Sequence, residues 1–370
     1  MPLKIIEVKS RKEMKQFITF PWKVYKAYPH WVPPIISERM QFFDKEKNPY
    51  FNTASVVLFM AIENNEVVGT ISVHADNGYI KFWDDPSAFF GFFEYLPQYR
   101  YAEALLSRAM LWAREHGYSR IMGPFNFNTN HECGLLVDGF DSDPIIEMTY
   151  NPEYYPDFYE KFGLKKAKDL YAYYIKAQQT PEMLNTSIDK IKRRDNISLR
   201  YVNLRKFKEE IEIIKGIYNQ AWARNWGFVP LTGEEFDFIA KSLKQIVDPE
   251  LAMVASVGGK PTGFSLTLPD YNVAAKAMNG KLFPFGVFKF LMAKSRIKIM
   301  RVFTLGVIPE YQYLGIGALL YYQTWLNGLK KGYQGAEMSW ILEDNRQMNR
   351  AIQRIGGSVY KTYRIYDKQV

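Results

Sequence analysis

The sequence predicts an α/β protein of two successive domains, each with a mixed, mostly antiparallel sheet flanked by helices. Two observations support this class. The chain has 370 residues, which exceeds the roughly 250–300 at which a single hydrophobic core stops growing. Predicted helices and strands also follow the same order in both halves, which indicates an internal duplication.

The first half begins with a helical pattern and a β-hairpin. The hairpin consists of two β-branched and apolar runs joined by Asn64 and Asn65, a pair that favours a tight turn. A long helix follows, with apolar residues spaced to cover one face and Gly117 as its stop. The predicted elements of this half, including a later strand, helix and aromatic strand, cover 12–27, 54–75, 102–117, 118–125, 155–163 and 168–176.

The second half repeats this order after a connector. Its hairpin turns at Gly258 and Gly259, and its long helix ends at Gly332. The predicted elements cover 208–223, 233–246, 250–268, 302–308, 317–332, 336–342, 347–357 and 359–368. We therefore divide the chain into domains at 1–178 and 197–370, with a charged helical connector at 179–196.

Composition limits the choice of partners and compartment. A formal charge of +9 and a pI near 9.2 favour an anionic partner, but excess surface lysine explains them equally well. The single cysteine, Cys133, excludes internal disulfides. No signal peptide is recognisable, and no uncharged apolar run reaches the roughly 20 residues needed to span a bilayer. We expect a cytoplasmic protein and make no prediction of its oligomeric state.

Gly315 and Gly317 stand at the predicted junction between a strand and a long helix. The first amides of a helix have no intrahelical partner and lie at the positive end of its dipole. Positions without Cβ allow an anion such as a pyrophosphate to reach those amides. Two glycines in such a junction otherwise serve the turn itself.

The stretch "LGVIPEYQYLGIGALL" resembles the phosphate loop of the GNAT acyltransferase superfamily, with Gln312, Gly315 and Gly317 on its motif. The downstream stretch "SWILEDNRQMNRAIQRIGG" resembles the next strand and helix of that superfamily, with Asn345 and Gly356 at its usual asparagine and glycine. The resemblance covers about Ile197 to Lys368. It implies acetyl-CoA or another acyl-CoA as co-substrate and no metal. The residues it implies as cofactor-binding are Leu305, Val307, Gln312, Tyr313, Leu314, Gly315, Ile316, Gly317, Ala318 and Asn345.

The first half resembles the same superfamily more faintly, with Tyr159 at a position where a tyrosine is common. Its counterpart of the phosphate loop, Gln98 to Ala102, contains no glycine. We therefore expect a tandem GNAT protein whose only CoA site lies in the C-terminal half, although Arg100 offers a charge that could still attract an anion.

The proton carriers are less well defined by the sequence. Many relatives carry a tyrosine four residues before the glycine that ends the last helix, but this chain has Ile352 there. The candidates for catalysis are Glu337, Glu343 and Tyr322, with Glu337 favoured as general base. For each of the three, the interpretation as a surface carboxylate or a core tyrosine is favoured over a catalytic role.

Three further segments carry weaker indications. His131 and Cys133 are too few to predict a zinc site. The polar, glycine-rich segment 123–144 is a candidate acceptor site. The apolar and basic segment 279–300 suggests helices that cover the sheet, or else a surface for an acyl chain or a membrane.

The sequence thus predicts an acyl-CoA-dependent N-acyltransferase, with acetyl transfer to the primary amine of a small or amino-acid-like acceptor as the leading hypothesis. A Fem-type transferase that uses aminoacyl-tRNA and a non-catalytic acyl-CoA sensor are the alternatives. We do not expect nucleic acid to be a partner, because the glycine loop suits CoA rather than tRNA.

Overall fold

A computed structural model describes residues 2–177, 188–191 and 196–370. Most of the predicted connector 179–196 lies outside the described residues, and of its described residues 188–191 are helical. The strands are β1 Lys4–Glu7, β2 Ala54–Glu63, β3 Glu66–Asp76, β4 Ser87–Tyr95, β5 Arg120–Gly123, β6 Leu135–Asp138, β7 Lys165–Lys176, β8 Ile197–Tyr201, β9 Ala252–Val257, β10 Lys260–Pro269, β11 Ile299–Val307, β12 Gly335–Leu342 and β13 Ser358–Gln369.

The helices lie singly or in groups between these strands, and a 3-10 segment, Pro309–Leu314, follows β11. The helices are α1 Arg11–Thr19, α2 Pro21–Val24, α3 Ile36–Phe42, α4 Tyr50–Thr53, α5 Asn77–Trp83, α6 Tyr99–Glu115, α7 Tyr155–Lys161, α8 Phe207–Ala221, α9 Gly233–Leu243, α10 Asn272–Met278, α11 Gly286–Lys294, α12 Ile316–Lys330 and α13 Arg346–Arg354.

The chain forms two compact units that are not contiguous in sequence. Unit 1 comprises 1–171, 274–293 and 361–370, and unit 2 comprises 172–273 and 294–360. The segments 274–293 and 361–370 thus belong with the first half, although they lie within the predicted C-terminal range. As boundaries of the two repeats, the ranges 1–178 and 197–370 stay a prediction.

Unit 1 is built on the strand order β1-β2-β3-β4-β5-β13. Neighbouring strands are antiparallel except β4 and β5, which are parallel and are connected through α6. Helix α6 presents Ala102, Leu105, Leu106 and Ala109 to the core, all of them buried. This spacing follows the helical period, and each buried leucine contributes about 2 kcal/mol of hydrophobic stabilisation.

Unit 2 has the strand order β12-β11-β10-β9-β8. Here β11 and β12 form the parallel pair, connected through α12. Buried Ile316 and Leu320 of α12 pack against Met253 and Val307 of the sheet. In both units, therefore, a long helix connects the two parallel strands of a mixed sheet along the chain.

The hairpin turns adopt the conformations that their sequences require. Asn64 and Asn65 have φ of 50° and 64°, and Gly258 and Gly259 have φ of 56° and 81°. Two successive residues with positive φ form the hairpin turn that matches the twist of the flanking strands. Both predicted hairpins are confirmed.

Candidate functional site

The parallel strands of unit 2 part halfway along their length. Pairing between β11 and β12 runs from Ile299 and Gly335 to Val302 and Met338. Beyond that point β11 stays paired with β10 as far as Val307. In the part of the chain that the structure describes, no strand takes the place of β12 along the freed edge of β11.

A β-bulge lies at the point of parting. Leu266 and Thr267 of β10 are opposite Thr304 and Val302 of β11, so Phe303 is an extra residue on β11. A bulge bends its strand and changes the direction of the local backbone groups. The bulge therefore lies where β11 must turn away from β12.

The freed edge of β11 presents backbone groups to the opening. On the other edge, the Ile308 N–H donates to the Thr262 carbonyl of β10 at 2.8 Å. Because backbone groups alternate between the two edges of a strand, those of Leu305 and Val307 point to the opposite edge. The Gln312 side chain donates to the Val307 carbonyl at 3.1 Å, which fixes the turn that follows.

Helix α12 begins at the end of this opening. The predicted order of strand, turn and helix is present, with Gly315 between the 3-10 segment and α12. No side chain caps the helix, and the first bond back into it runs from the Leu319 N–H to the Gly315 carbonyl. The amides of Ile316, Gly317 and Ala318 are thus donors at a positive helix end.

Gly315 and Gly317 serve different purposes. Gly315 has φ of 78°, and a Cβ there would lie 2.7 Å from the Ile191 side chain. The turn therefore requires glycine at this position. At Gly317 a Cβ would meet only Val307, at 3.9 Å. The protein itself leaves space at Gly317, as the approach of a ligand to the amides would require.

The remaining predicted cofactor residues differ in their surroundings. Tyr313 is 82% exposed, whereas Leu314 packs against the core of unit 2. Asn345 caps α13, because its side-chain oxygen accepts from the Met348 N–H at 3.2 Å. The structure therefore gives Asn345 a structural contact, and its predicted contact with CoA stays a prediction.

Glu337 is fully buried beside the point of parting. Its carboxylate accepts hydrogen bonds from Ser339, at 2.5 Å, and from the Tyr360 hydroxyl. The Arg301 Nε lies 3.8 Å from it. The carboxylate is therefore enclosed by three partners, and its role as general base stays a prediction.

The other two predicted proton carriers are more accessible. Glu343 is half-buried just after the end of β12, and Tyr322 is half-buried on α12. Ile352, which occupies the position of a frequent tyrosine, is buried in the hydrophobic core. It contributes packing and has no proton to donate.

Two features of the site were missed from the sequence. Arg301 is 1% exposed and lies 5.2 Å from the ring centroids of both Phe303 and Trp340. The sequence offered one signal for the Arg301–Glu337 pair: each is the single charged residue of an otherwise largely apolar strand, β11 or β12. The second feature is Tyr321, whose hydroxyl lies 3.7 Å from the Met348 sulfur on α13; burial raises the pKa of Tyr321 to about 12.

Unit 1 has the same strand geometry, but its opening is filled. Pairing between β4 and β5 ends at Phe89 and Met122, and β4 carries a bulge near Phe92. The loop after β5 occupies the freed edge, where the Phe125 N–H donates to the Phe90 carbonyl at 2.7 Å. Asn126 accepts from the Phe92 N–H at 2.8 Å.

The counterpart of the phosphate loop in unit 1 is occupied by an ion pair. Arg100 donates to Glu63 at 2.8 Å, and the Tyr101 hydroxyl donates to the same carboxylate at 2.6 Å. The charge that could have attracted an anion is therefore matched by Glu63. This arrangement supports the expectation that the first half lacks a CoA site.

The segment 123–144 is packed within unit 1. Phe127 is fully buried and stacks on Tyr50 with ring centroids 4.4 Å apart. His131 Nδ1 lies 3.0 Å from the Asn128 side-chain oxygen, and burial lowers the pKa of His131 to about 4. Among the described residues, no group of three or more His, Cys, Asp or Glu side chains is placed to hold a metal ion. The acceptor role of this segment stays a prediction.

Comparison with solved structures identifies the fold. Solved structures with the same fold include a tandem GNAT protein from the clavulanic acid biosynthesis pathway, 12% identical, with a TM-score of 0.60 over 100% of this chain and 98% of that one. A GCN5-related N-acetyltransferase from Sphaerobacter thermophilus is 13% identical, with a TM-score of 0.52 over 99% and 95% of the two chains. The chain has the tandem GNAT fold.

The sequence relatives define the family more narrowly. Protein YghO of Escherichia coli (strain K12) is 34% identical over 98% of this chain and 94% of its own length. The bacterial ceramide synthase of Caulobacter vibrioides is 33% identical over 99% and 97%. The chain belongs to the family of these two proteins. No model of a known protein family matches it.

Helix length bears on how the chain could meet a membrane. Within the described ranges, no helix combines the length and the apolar character needed to cross a bilayer.

Proposed function

We propose that the chain is an acyl-CoA-dependent N-acyltransferase that uses the opening in unit 2. The observation that carries this proposal is the coincidence of three features at one place: the freed edge of β11, the uncapped start of α12 and the space at Gly317. A thioester arm needs hydrogen-bond donors along its length, and its pyrophosphate needs amides at a helix start. The residues present fit such a group.

Each part of the site has a proposed role. The amides of Ile316, Gly317 and Ala318 would hold the pyrophosphate, and the backbone of Leu305 and Val307 would bind the arm and orient the carbonyl. Bound acyl-CoA supplies a thioester carbonyl that an amine nitrogen can attack. No metal is required for this chemistry.

The proton carriers are proposed from their accessibility. The amine must lose a proton and the leaving sulfur must gain one, so side chains that exchange protons with the opening are needed. Glu343 and Tyr322 are half-buried, so part of each side chain is accessible, and we propose them as the groups that exchange these protons. The assignment of Glu337 as general base stays a prediction, and the enclosure of its carboxylate argues against it. We propose instead that Glu337 positions Arg301 and β12.

For the acceptor, we propose a long-chain amino alcohol of the sphingoid type, acylated on its primary amine. The support is the 33% identity to a bacterial ceramide synthase over nearly the whole of both chains, since a ceramide is the amide of such an amine with a fatty acyl group. The alternative is acetyl transfer to a small amine, which the fold permits equally because fold does not determine the acceptor.

The test is turnover by the purified full chain, measured as release of free thiol. Acetyl-CoA and a long-chain acyl-CoA are each combined with a sphingoid base, with amino acids and with polyamines. The proposal expects thiol release with the long-chain pair. Release only with acetyl-CoA and a small amine would overturn the acceptor assignment. CoA binding without turnover of any pair would indicate a sensor, and salt-dependent binding of aminoacyl-tRNA would favour the Fem-type alternative.

Gly317→Asp tests the site itself, with Gly233→Asp as a matched control. Gly233 is the first residue of α9, and a Cβ there would approach only the Lys215 side chain, at 3.7 Å. Both variants therefore place a carboxylate in the first turn of a helix. We expect CoA affinity to fall at least about tenfold in Gly317→Asp, because the carboxylate repels the pyrophosphate, and to stay unchanged in Gly233→Asp.

A further inference from the structure

Large apolar side chains are exposed along ten residues of unit 1. Phe283 is 78% exposed, Phe285 71% and Phe288 65%. Exposed apolar side chains are common singly, but a contiguous group indicates an interaction surface. We define the apolar patch as Phe283, Phe285, Val287, Phe288, Leu291 and Met292, all more than 40% exposed.

In helix α11, which lies within this patch, the large apolar residues face outward and the small ones inward, the reverse of an ordinary surface helix. Its buried residues are the small ones, Gly286 and Ala293. The large residues Val287, Phe288, Leu291 and Met292 follow the helical period on the opposite side. The sequence therefore directs its bulky apolar groups away from the protein and uses small residues for the contact with it.

The patch is attached to a fixed base. The Trp22 indole donates to Asn279 at 3.0 Å, and the Ile36 N–H donates to the Gly280 carbonyl at 3.0 Å. Lys276 of the preceding helix α10 pairs with Asp143 at 2.5 Å. The chain is therefore held to unit 1 by hydrogen bonds and an ion pair directly before the exposed patch.

Basic residues border the apolar face. Residues 271–298 contain six Lys or Arg residues and no Asp or Glu, and one of the six, Lys276, is paired with Asp143. On α11, Lys289 and Lys294 lie on either side of the apolar face by helical position, and both are exposed. Lysines beside an apolar face extend their ammonium groups to lipid headgroups while their stems lie along the apolar region.

We propose that the apolar patch inserts into the interface of an anionic lipid bilayer and holds the protein on the membrane surface. An apolar face bordered by basic groups complements both the acyl boundary and the negative headgroups of such a surface. At nine residues, α11 is too short to span a bilayer, so it would lie in the plane of the interface. Binding to lipid requires neither acyl-CoA nor an acceptor, so this inference can be tested independently of the proposed function.

The test is flotation of the purified full chain with vesicles of phosphatidylcholine alone and with about one third phosphatidylglycerol. We expect binding that rises with the anionic fraction and falls with salt. The double variant Phe285→Ser with Phe288→Ser should bind at least about tenfold less, because each phenyl group contributes a large apolar area. The matched control, Phe82→Ser with Leu111→Ser, replaces side chains that are 41% and 46% exposed elsewhere on unit 1 and should bind as the unchanged chain does.

Two further measurements keep the proposal falsifiable. Phe288→Trp retains the apolar character, and its added emission should shift to shorter wavelength with anionic vesicles. Lys281→Glu with Lys289→Glu should abolish the preference for anionic lipid. The proposal would be overturned by absence of vesicle binding or by equal binding of both double serine variants. It would also be overturned if the chain self-associates and the Phe285→Ser with Phe288→Ser change makes it monomeric, since that outcome would assign the patch to a second copy of the chain.

Discussion

At the scale of single residues, mutation can separate the roles of Gly315 and Gly317 in the predicted phosphate loop. Gly317→Ala should leave the free energy of unfolding unchanged or slightly raised, since the added methyl meets only Val307 at 3.9 Å and alanine favours helix. Gly315→Ala should lower it by about 1–2 kcal/mol because φ is 78°. The measurements are urea unfolding and calorimetric titration of CoA.

The two variants should also differ in what they do to binding. Gly317→Ala should weaken CoA binding with no loss of stability, whereas any effect of Gly315→Ala should accompany its loss of stability. Equal destabilisation by both variants would contradict the structural distinction. For the same reason, Gly315→Asp is expected to disturb the turn as well as the anion site.

The buried Arg301–Glu337 pair allows a test of the general-base assignment. Glu337→Gln should lower the free energy of unfolding by about 3 kcal/mol, because it removes the negative charge beside the buried Arg301 guanidinium. The rate should fall, but the pH profile of kcat/KM should keep both limbs. A profile that loses its acidic limb would restore Glu337 as the base.

Replacing both members of the pair supplies the control. Arg301→Leu with Glu337→Leu removes both charges, and such replacements are often close to neutral in stability. The double variant should therefore be more stable than Glu337→Gln alone. If it is less stable, the hydrogen bonds of Ser339 and Tyr360 to the carboxylate matter more than the charge pair does.

Glu94 of unit 1 gives a prediction of pH dependence. The hydroxyls of Tyr25 and Tyr155 donate to it at 2.9 and 2.7 Å, and burial raises the pKa of Glu94 from 4.5 to about 8. The folded state then binds a proton that the unfolded state has released between pH 4.5 and about 8. The free energy of unfolding should fall as pH rises through this window and stay constant above it.

Glu94→Gln should flatten this part of the stability profile, since glutamine does not titrate. The measurement is urea unfolding at pH values within and above the window. A variant with the same slope as the unchanged chain would assign the pH dependence to another group.

At the scale of elements, the local patterns were readable from the sequence and the long-range ones were not. The hairpins and the helix start at Ile316 depend on residues close in sequence, such as Asn64 and Gly315. The pattern at 12–27 was predicted as one helix, but α1 ends at Thr19 and α2 begins at Pro21, because proline cannot continue the hydrogen bonding of the helix before it.

The features that were not predicted depend on distant partners. The filling of the unit 1 opening requires Phe125 to meet β4, and the membership of 361–370 in unit 1 requires β13 to pair with β5. Nothing in the local sequence of either segment specifies its partner. The strand-level part of the site was thus predictable, whereas the difference between the two openings was only indicated, by the missing glycines in 98–102.

At the scale of the whole molecule, we expect one CoA per chain. The unit 1 opening is filled by its own loop, and Arg100 is paired with Glu63. Calorimetric titration of the intact chain should give a stoichiometry near one, unchanged in Arg100→Ala and lost in Gly317→Asp. A stoichiometry near two would refute the prediction.

The loop that fills unit 1 has a consequence for how the two halves respond to their surroundings. The Phe125 N–H and the Asn126 side chain bond to the backbone of β4, whereas in unit 2 we propose that a ligand makes the corresponding contacts with β11. A ligand that binds only the folded state stabilises what it binds in proportion to the logarithm of its concentration. Unit 1 should therefore exchange its β4 amides at the same rate whatever the CoA level, whereas the β11 amides should exchange more slowly as CoA rises. The strand stability of unit 1 would thus be independent of the CoA concentration, whereas unit 2 would become locally more rigid as the concentration of its substrate rises.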